Sequence, residues 1–404
     1  MNSILIKNCG QLLTMGSEGI VKDAYVLCEG ERIKAVGEMG GCPEVEGAEV
    51  IDAQGRVVMP GIVECHTHSV FAGSRAEEFK QKLEGKSYLD ILAAGGGIHS
   101  TVRATRAASK QELVESTMAH LDEFMAYGMS TVEIKTGYGL DLENELKLLE
   151  VIEAVRDQHS VNVVVTFMAA HTIPNEFKER ASEYIDLVIN EMLPEVKGRV
   201  DFFDVFCEKG AFSLDDSRRL LEAAKDAGLK LKIHAEQIND LGGSKMASEL
   251  GAVSVDHLDH LSAQDIEMVA KTDAVGVLLP MVPLYTREDK YADGRAMIDA
   301  GMTVAVSTDF NPGSCPSKNI FLAMNLACLK MGLTVDEVLK AVTINAAKAI
   351  GMGEEVGSIE IGKRADILIM KAKSYEEIPY NFAENLTQQL LLGGRLVHHQ
   401  QDID

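Results

Sequence analysis

The apolar residues divide the chain into a long central part and two similar ends. In the central part, continuous apolar runs alternate with segments of helical spacing, such as the predicted helices 111–127 and 215–227. After a first run that ends near residue 68, the predicted strands are 130–135, 161–167, 202–207, 230–234, 254–257, 274–279 and 303–308. Apolar strands separated by helices are typical of a parallel sheet. About eight strands predict a (β/α)8 barrel. A doubly wound open sheet is the alternative, but no GxGxxG follows an early strand.

Both ends of the chain show short strands separated by glycines and charged turns. The predicted strands are 3–6, 24–28 and 32–36 at one end, and 357–363, 365–370 and 395–397 at the other. Neither end has enough strands to cover its own apolar face. We therefore expect residues 1–58 and 353–404 to form one small composite β-sandwich domain, with residues 59–352 forming the barrel.

Histidines and an aspartate stand at the carboxyl ends of the predicted barrel strands. The first strand leads into His66 and His68, alternate residues whose side chains project to the same side. Other strand ends supply His234, His257 and Asp309. In a barrel these ends meet at one mouth. All but His257 are predicted to bind one metal ion, which leaves a position for water. Zinc at such an open site lowers the pKa of its bound water to about 7.

His257 and Asp309 are also candidates for proton transfer. The alternatives are a structural role for a buried histidine, and a cap role for Asp309, because Asn311-Pro312-Gly313 follows as a turn. Their place beside the predicted metal favours function. The fourth strand has no lysine that could be carbamylated to bridge two metals, and Lys135 ends the second strand instead. A single metal is therefore favoured. The acidic segment 143–150 is interpreted as a solvated helix face.

Composition narrows the possible partners and location. A net charge of −23 argues against nucleic acid and anionic membranes, and it means that an anionic substrate needs a local cation. Seven cysteines without a CxxC pair fit a reduced cytoplasmic protein better than a disulfide scaffold. We see no signal peptide and no apolar run of the ~18 residues that a membrane helix needs.

Several longer segments carry a resemblance to a known family. Besides the His66-x-His68 pair, they are FAGSR at 71–75, AGGGI at 94–98, STVRATR at 100–106, EIKTGYGL at 133–140, HAEQ at 234–237 and TDFNPGS at 308–314. On these segments the chain resembles the amidohydrolase superfamily and, within it, the imidazolonepropionases. The histidine pair is shared by many hydrolases, whereas the arginine-containing loop and the GYGL segment are much narrower.

The resemblance implies hydrolysis of 4-imidazolone-5-propanoate to N-formimidoyl-L-glutamate by a protein that is commonly a homodimer. It also implies one zinc or iron ion, held by the four ligands named above. The residues that it implies for binding substrate or product are Arg75, Tyr138, His171, Gln237, Asn311, Gly313 and Ser314. The planar fork of an arginine suits a carboxylate, which supports the role of Arg75.

The chain departs from the family pattern at three positions. Ala169 stands where glycine is usual, Met281 where a glycine commonly follows Leu-Pro, and His99 where a large apolar residue is usual. Met281 could narrow the pocket, so a related cyclic amide is the reserve substrate. A heterocycle deaminase and a non-catalytic binding barrel are further alternatives. Arg75 favours the hydrolase of a carboxylate-bearing ring, and the retained ligands argue against the binding barrel.

Overall fold

The computed structural model describes residues 3–86 and 96–399. Their strands form two eight-stranded sheets. The strands are β1 Ser3–Leu13, β2 Ile20–Glu29, β3 Arg32–Glu38, β4 Glu49–Asp52, β5 Val57–Pro60, β6 Ile62–Glu64, β7 Met129–Lys135, β8 Asn162–Ala170, β9 Phe202–Cys207, β10 Lys230–Ala235, β11 Ser254–His257, β12 Val275–Leu278, β13 Val304–Val306, β14 Ile367–Met370, β15 Thr387–Leu392 and β16 Arg395–His399.

Helices occupy most of the connections between the parallel strands. The α-helices are Ala76–Leu83, Ile98–Ala107, Lys110–Ala126, Leu142–Gln158, Ala181–Leu187, Leu193–Val196, Leu214–Asp226, Gly243–Glu249, Ala263–Val269, Met281–Thr286, Gly294–Asp299, Ile320–Met331, Val335–Ala341, Ile344–Ala349 and Glu377–Tyr380. Short 3-10 turns lie at Met39–Gly41 and Asn175–Phe177, and a π-helical turn lies at Val188–Met192. Within the described ranges, none of these helices has the length and apolarity to cross a membrane.

The first sheet is a barrel built from β6 to β13 in chain order, all parallel. Its first and last strands meet just beyond their ends. Thr67 and Phe310 form a parallel bridge there, and the His68 N–H donates to the Phe310 carbonyl at 2.9 Å. The sheet therefore closes on itself. The predicted (β/α)8 barrel is confirmed, and the open-sheet alternative is wrong.

The second sheet joins the two ends of the chain. Its order is β16-β15-β14-β5-β1-β2-β3, with β4 beside β1. It is the separate β-rich domain expected from the pairing of the two ends. Residues Val57–Pro60 pair with β14 here, and the chain enters the barrel directly afterwards at Gly61. The division at residues 58 and 352 stays a prediction, and β5 crosses the first of these limits.

One expected strand is absent from this sheet. Residues 357–363 form turns instead, because Gly357 and Gly362 adopt left-handed φ values of 84° and 92° that interrupt an extended chain. The segment still contacts the sheet, since the Ile359 N–H donates to the Thr14 carbonyl at 2.7 Å. The prediction also missed the strand at residues 387–392, which supplies the pairing that residues 357–363 do not.

Candidate metal centre and active site

The predicted metal ligands meet at the mouth of the barrel. The extended chain beyond β6 carries His66 and His68, β10 carries His234, and the loop after β13 carries Asp309. The imidazole centroid of His66 lies 4.4 Å from that of His234, and those of His68 and His234 are 5.3 Å apart. All four side chains are buried. Residues far apart in sequence are thus brought together because each stands at the carboxyl end of a strand.

The donor atoms converge on one small volume. Asp309 Oδ1 lies 3.4 Å from His66 Nε2 and 3.6 Å from His68 Nε2, and the Nε2 atoms of His68 and His234 are 3.3 Å apart. His66 Nε2 and Asp309 Oδ1 are buried, and neither has a hydrogen-bond partner within the described ranges. Three imidazole nitrogens and a carboxylate oxygen are a donor set that zinc and iron accept. The residues present therefore fit a metal ion.

Two buried aspartates orient these histidines. His66 Nδ1 donates to Asp256 Oδ2 at 2.6 Å, and His234 Nδ1 donates to Asp204 Oδ1 at 3.0 Å. With Nδ1 engaged in this way, Nε2 is left to face the metal, an arrangement common around protein metal sites. The sequence reasoning missed both aspartates. For Asp204 the signal was an aspartate inside the otherwise apolar strand Phe202–Cys207, where burial demands a partner.

Burial sets the protonation of the site. It lowers the pKa of His66, His68 and His257 well below the usual range, and nearby cationic groups lower it further. These imidazoles are therefore neutral, the form in which histidine binds a metal. Burial also raises the pKa of Asp309 to about 8. In the metal-free protein this carboxyl group can hold a proton near neutral pH, as a group that transfers protons at that pH should.

Two residues of the site have an unusual backbone conformation. His257 and Asp309 have φ values of 81° and 53°, in the left-handed region that non-glycine residues rarely adopt. Such strain often accompanies functional positions. His257 also has a buried Nδ1 without a hydrogen-bond partner among residues 3–86 and 96–399, and its ring centroid lies 5.5 Å from that of His66. A structural core histidine would ordinarily be satisfied, so these observations favour function for His257.

Two of the expected substrate-binding residues lie directly beside the metal ligands. His171 stacks on His68, with ring centroids 4.7 Å apart and an interplanar angle of 18°. The ring of Tyr138 lies 5.3 Å from that of His171 and 6.0 Å from that of His68. Gln237 is partly exposed in the loop after β10, three residues beyond His234.

Arg75 reaches the loop that follows Asp309. Its Nε donates to Glu78 Oε2 at 2.9 Å, and its side chain is 15% exposed. Its Nη1 lies so close to Gly313 that a Cβ atom added there would be 2.2 Å away. The cation therefore rests on the backbone of this loop, and only a glycine allows that approach.

Asn311 shapes the loop beneath this cation. Its Oδ1 accepts from the N–H groups of Gly313 and Ser314 at 2.8 Å each, and its Nδ2 donates to the Asp309 carbonyl at 2.8 Å. Ser314 Oγ lies 2.9 Å from the same Nδ2. These bonds connect Asp309, a predicted metal ligand, to the glycine under Arg75 through one side chain.

A buried carboxylate holds the loop that carries Tyr138. Glu145 is fully buried and accepts from the N–H groups of Gly137, Gly139 and Leu140 at 3.2, 2.8 and 2.8 Å. The interpretation of segment 143–150 as a solvated face is therefore wrong at this position. Three backbone donors compensate the burial of the charge, which a count of acidic residues along a helix cannot reveal.

The three residues that depart from the family pattern differ in how deeply they are buried. Ala169 is buried in β8, and Met281 is buried at the start of helix Met281–Thr286. His99 is only partly buried, in helix Ile98–Ala107. Of the AGGGI segment, Ala94 and Gly95 lie outside the described residues.

The chain matches a known family over most of its length. The model of the amidohydrolase family matches residues 57–397, the whole barrel and part of the β-rich domain. The chain belongs to the amidohydrolase family. Among relatives of this amidohydrolase, an imidazolonepropionase from Alkaliphilus metalliredigens is 45% identical over 416 residues, covering 98% of each chain. One from Alkaliphilus oremlandii is 46% identical over 411 residues, covering 98% of this chain and 97% of the relative.

Solved structures of other enzymes share the architecture. An adenosine deaminase from Xanthomonas campestris with bound zinc superposes with a TM-score of 0.74 and 17% identity, covering 100% of this chain and 95% of the other. An atrazine chlorohydrolase from Arthrobacter aurescens complexed with zinc gives a TM-score of 0.73 and 17% identity, covering 98% and 95%. At these identities the likeness shows the fold alone.

Proposed function

We propose that this amidohydrolase is an imidazolonepropionase. It hydrolyses the cyclic amide C–N bond of 4-imidazolone-5-propanoate and releases N-formimidoyl-L-glutamate. The observation that carries this proposal is a metal donor set joined to a carboxylate-binding cation. Asp309 and the glycine beneath Arg75 lie in one loop, which couples ring hydrolysis to recognition of an acidic tail. The near-full-length similarity to imidazolonepropionases supports the same substrate.

The proposed cofactor is one zinc or iron ion per chain. His66, His68, His234 and Asp309 would hold it, since their donor atoms converge and two of them lack another partner in the described part of the chain. When bound, the ion would polarise the ring carbonyl and activate the attacking water. A second group of donors, His66, His234 and His257, also converges. We assign His257 to catalysis because it stands at the end of β11 beside the four ligands that the family resemblance implies.

Proton movements fall to two residues of the chain. Water adds its oxygen to the ring carbonyl carbon, and Asp309 takes the proton that the water loses. The C–N bond then breaks, and the same carboxyl group delivers that proton to the departing ring nitrogen. In the metal-free protein burial raises the pKa of this carboxyl group to about 8, and a bound cation would keep it ionised and able to accept the proton. His257 is neutral and donates a hydrogen bond to the carbonyl oxygen as negative charge develops there.

Substrate recognition is concentrated on one cation. A chain of net charge −23 repels a carboxylate at long range, so affinity depends on close contacts. Arg75 binds the propionate carboxylate through the edge of its guanidinium that Glu78 leaves free. Around the ring, hydrogen bonds come from Tyr138, His171 and Gln237. Contacts to the product or to the tail come from Asn311, Gly313 and Ser314.

A direct assay tests this function. The zinc- or iron-loaded protein is incubated with 4-imidazolone-5-propanoate, and formimidoylglutamate is detected by mass spectrometry. We expect stoichiometric conversion that stops when a chelator removes the metal. Ammonia release from the ring would instead indicate a deaminase. Turnover of a ring without an acidic tail, but not of the propionate, would indicate a different cyclic amide.

Assembly and location stay predictions from the resemblance. We expect a homodimer, which sedimentation equilibrium would detect as twice the chain mass of 43.9 kDa. We expect the protein in the cytoplasm, which fractionation of the source cells would test. Separate expression of residues 59–352 would test the proposed domain division. We expect that fragment to be insoluble, because the cut falls inside β5 and leaves Met59 and Pro60 without their partners in β14.

A further inference from the structure

A group of charged side chains lies fully buried beneath the metal donors. Its centre is the ammonium group of Lys135, the residue that ends β7. Lys135 Nζ lies 2.7 Å from Glu133 Oε1, 2.8 Å from Asp204 Oδ2 and 4.0 Å from Asp256 Oδ2. Each of these side chains is 0% exposed. Burial on this scale is costly unless every charge has a partner.

One aspartate of this group connects Lys135 to a metal ligand. Asp204 uses its two oxygens for different partners, since Oδ2 accepts from Lys135 Nζ and Oδ1 accepts from His234 Nδ1 at 3.0 Å. A carboxylate held at both oxygens cannot rotate without breaking a bond. The ammonium group therefore fixes the plane of Asp204, and Asp204 in turn fixes the imidazole of His234.

A second buried lysine, Lys232, contacts Asp256 and not Asp204. Lys232 Nζ lies 3.7 Å from Asp256 Oδ2 and donates to the Cys65 carbonyl at 3.2 Å. Asp256 is the acceptor for His66. In the described ranges, Lys135 is the only lysine or arginine paired with Asp204. Both lysines therefore lie near Asp256, but of the two only Lys135 is paired with Asp204, the acceptor for His234.

We propose that Lys135 is a positioning residue of the metal centre, acting through Asp204 on His234. The inference rests on the proposed metal site and goes beyond it, because Lys135 faces the ligands from behind and binds neither metal nor substrate. Loss of such an indirect support typically costs 10- to 100-fold in metal affinity. We therefore expect Lys135→Met to raise the metal dissociation constant by about 10- to 100-fold and to speed metal loss to a chelator.

A double-mutant cycle separates this role from a general contribution to folding. The variants are Lys135→Met, Asp204→Asn and the pair, and the readout is zinc affinity by competition with a chromogenic chelator. If Lys135 acts through Asp204, the lysine substitution should change affinity by less than about threefold once the aspartate is replaced, since interacting residues are not additive. Losses that multiply in the double variant would overturn the inference.

The other buried lysine provides the matched control. Lys232→Met removes an equally buried ammonium group, but one that contacts Asp256 instead of Asp204. Its effect on affinity should persist in full in the Asp204→Asn background. An effect that vanishes there as well would mean that the cycle reports only a damaged core, and the inference would fail.

Measurements of folding and of metal content distinguish failure of the Lys135 proposal from failure of the proposed function. Circular dichroism and thermal melting of the metal-free proteins identify variants that do not fold. If Lys135→Met is one of them, Lys135→Gln replaces it in the cycle, because its amide retains a donor. Wild-type protein that binds no metal would refute the proposed function itself. Wild-type binding with unchanged affinity in a folded Lys135 variant would refute only the role of Lys135.

Discussion

Replacement of Gly313 by alanine should displace the proposed carboxylate-binding cation without unfolding the protein. The added Cβ would lie 2.2 Å from Nη1 of Arg75, whereas non-bonded heavy atoms are comfortable at about 3.5 Å. The guanidinium must then withdraw by about 1 Å or more. It is the far end of a long side chain, so it can move at little cost to folding. The free energy of unfolding should therefore change little.

Substrate binding should suffer far more than stability. A charge-assisted hydrogen bond contributes about 1.5–3 kcal/mol, and a displaced guanidinium loses one or both of its bonds to the propionate. The loss of one such bond corresponds to about 10- to 100-fold in kcat/KM, at about 1.4 kcal/mol for each factor of ten. We expect most of that loss in KM, because the tail lies away from the reacting bond and binds ground and transition states alike.

Steady-state kinetics with two substrates would measure this effect. Gly313→Ala should lower kcat/KM for the propionate substrate and leave that for a neutral analogue without a carboxylate nearly unchanged. Gly40→Ala is the matched control, since a Cβ atom there would meet no atom within 4 Å. Equal losses on both substrates would refute the reasoning, because they would mean that the loop had moved its catalytic aspartate and not the arginine.

Other substitutions test the remaining assignments. His234→Ala should lose metal and activity together in a folded protein, as metal analysis and circular dichroism would show. His257→Asn should lower kcat by about 10²- to 10⁴-fold with unchanged metal content, and normal turnover would return it to a structural role. Arg75→Met should lower kcat/KM for the propionate by about 10²- to 10³-fold, more than Gly313→Ala, because it removes the charge itself. A pKa of about 8 means that Asp309 must release a proton to bind metal, so titration should show tighter binding as pH rises from 6 to 8.

The sequence was sufficient to bring the proposed metal ligands together because a barrel imposes a simple rule. Each parallel strand ends at the same rim, so a histidine at a strand end is near every other such histidine, whatever its distance along the chain. His66 and His234 illustrate this, since their rings are 4.4 Å apart. Only the order of the strands and the position of their ends had to be known, and both follow from apolar runs.

The residues that support the site could not be predicted in the same way, because their contacts do not follow from the pattern of apolar runs. Glu145 is one acidic residue among several on a helix, and its burial follows from how the preceding loop folds back onto the helix start. Asp204 and Lys135 meet across β7 and β9, which are separated by β8, so their contact depends on side-chain length and barrel curvature. The resemblance named Gly313 as a contact residue but could not show why a glycine is needed there, because the side chain that requires it, Arg75, comes from the other end of the barrel domain.

Closure of the barrel explains why metal binding and tail recognition share one place. The loop after β6 carries two proposed metal ligands and then Arg75, and the loop after β13 carries Asp309 and then Gly313. The bridge between Thr67 and Phe310 holds the starts of these loops together. Arg75 follows His68 closely in the chain, and Gly313 follows Asp309 closely. When these proposed ligands meet, the arginine and the glycine are therefore brought together as well. A substitution that opens this seam should therefore weaken metal and carboxylate binding together. Changes at His171, which lies outside the seam in the loop after β8, should affect contacts to the ring first.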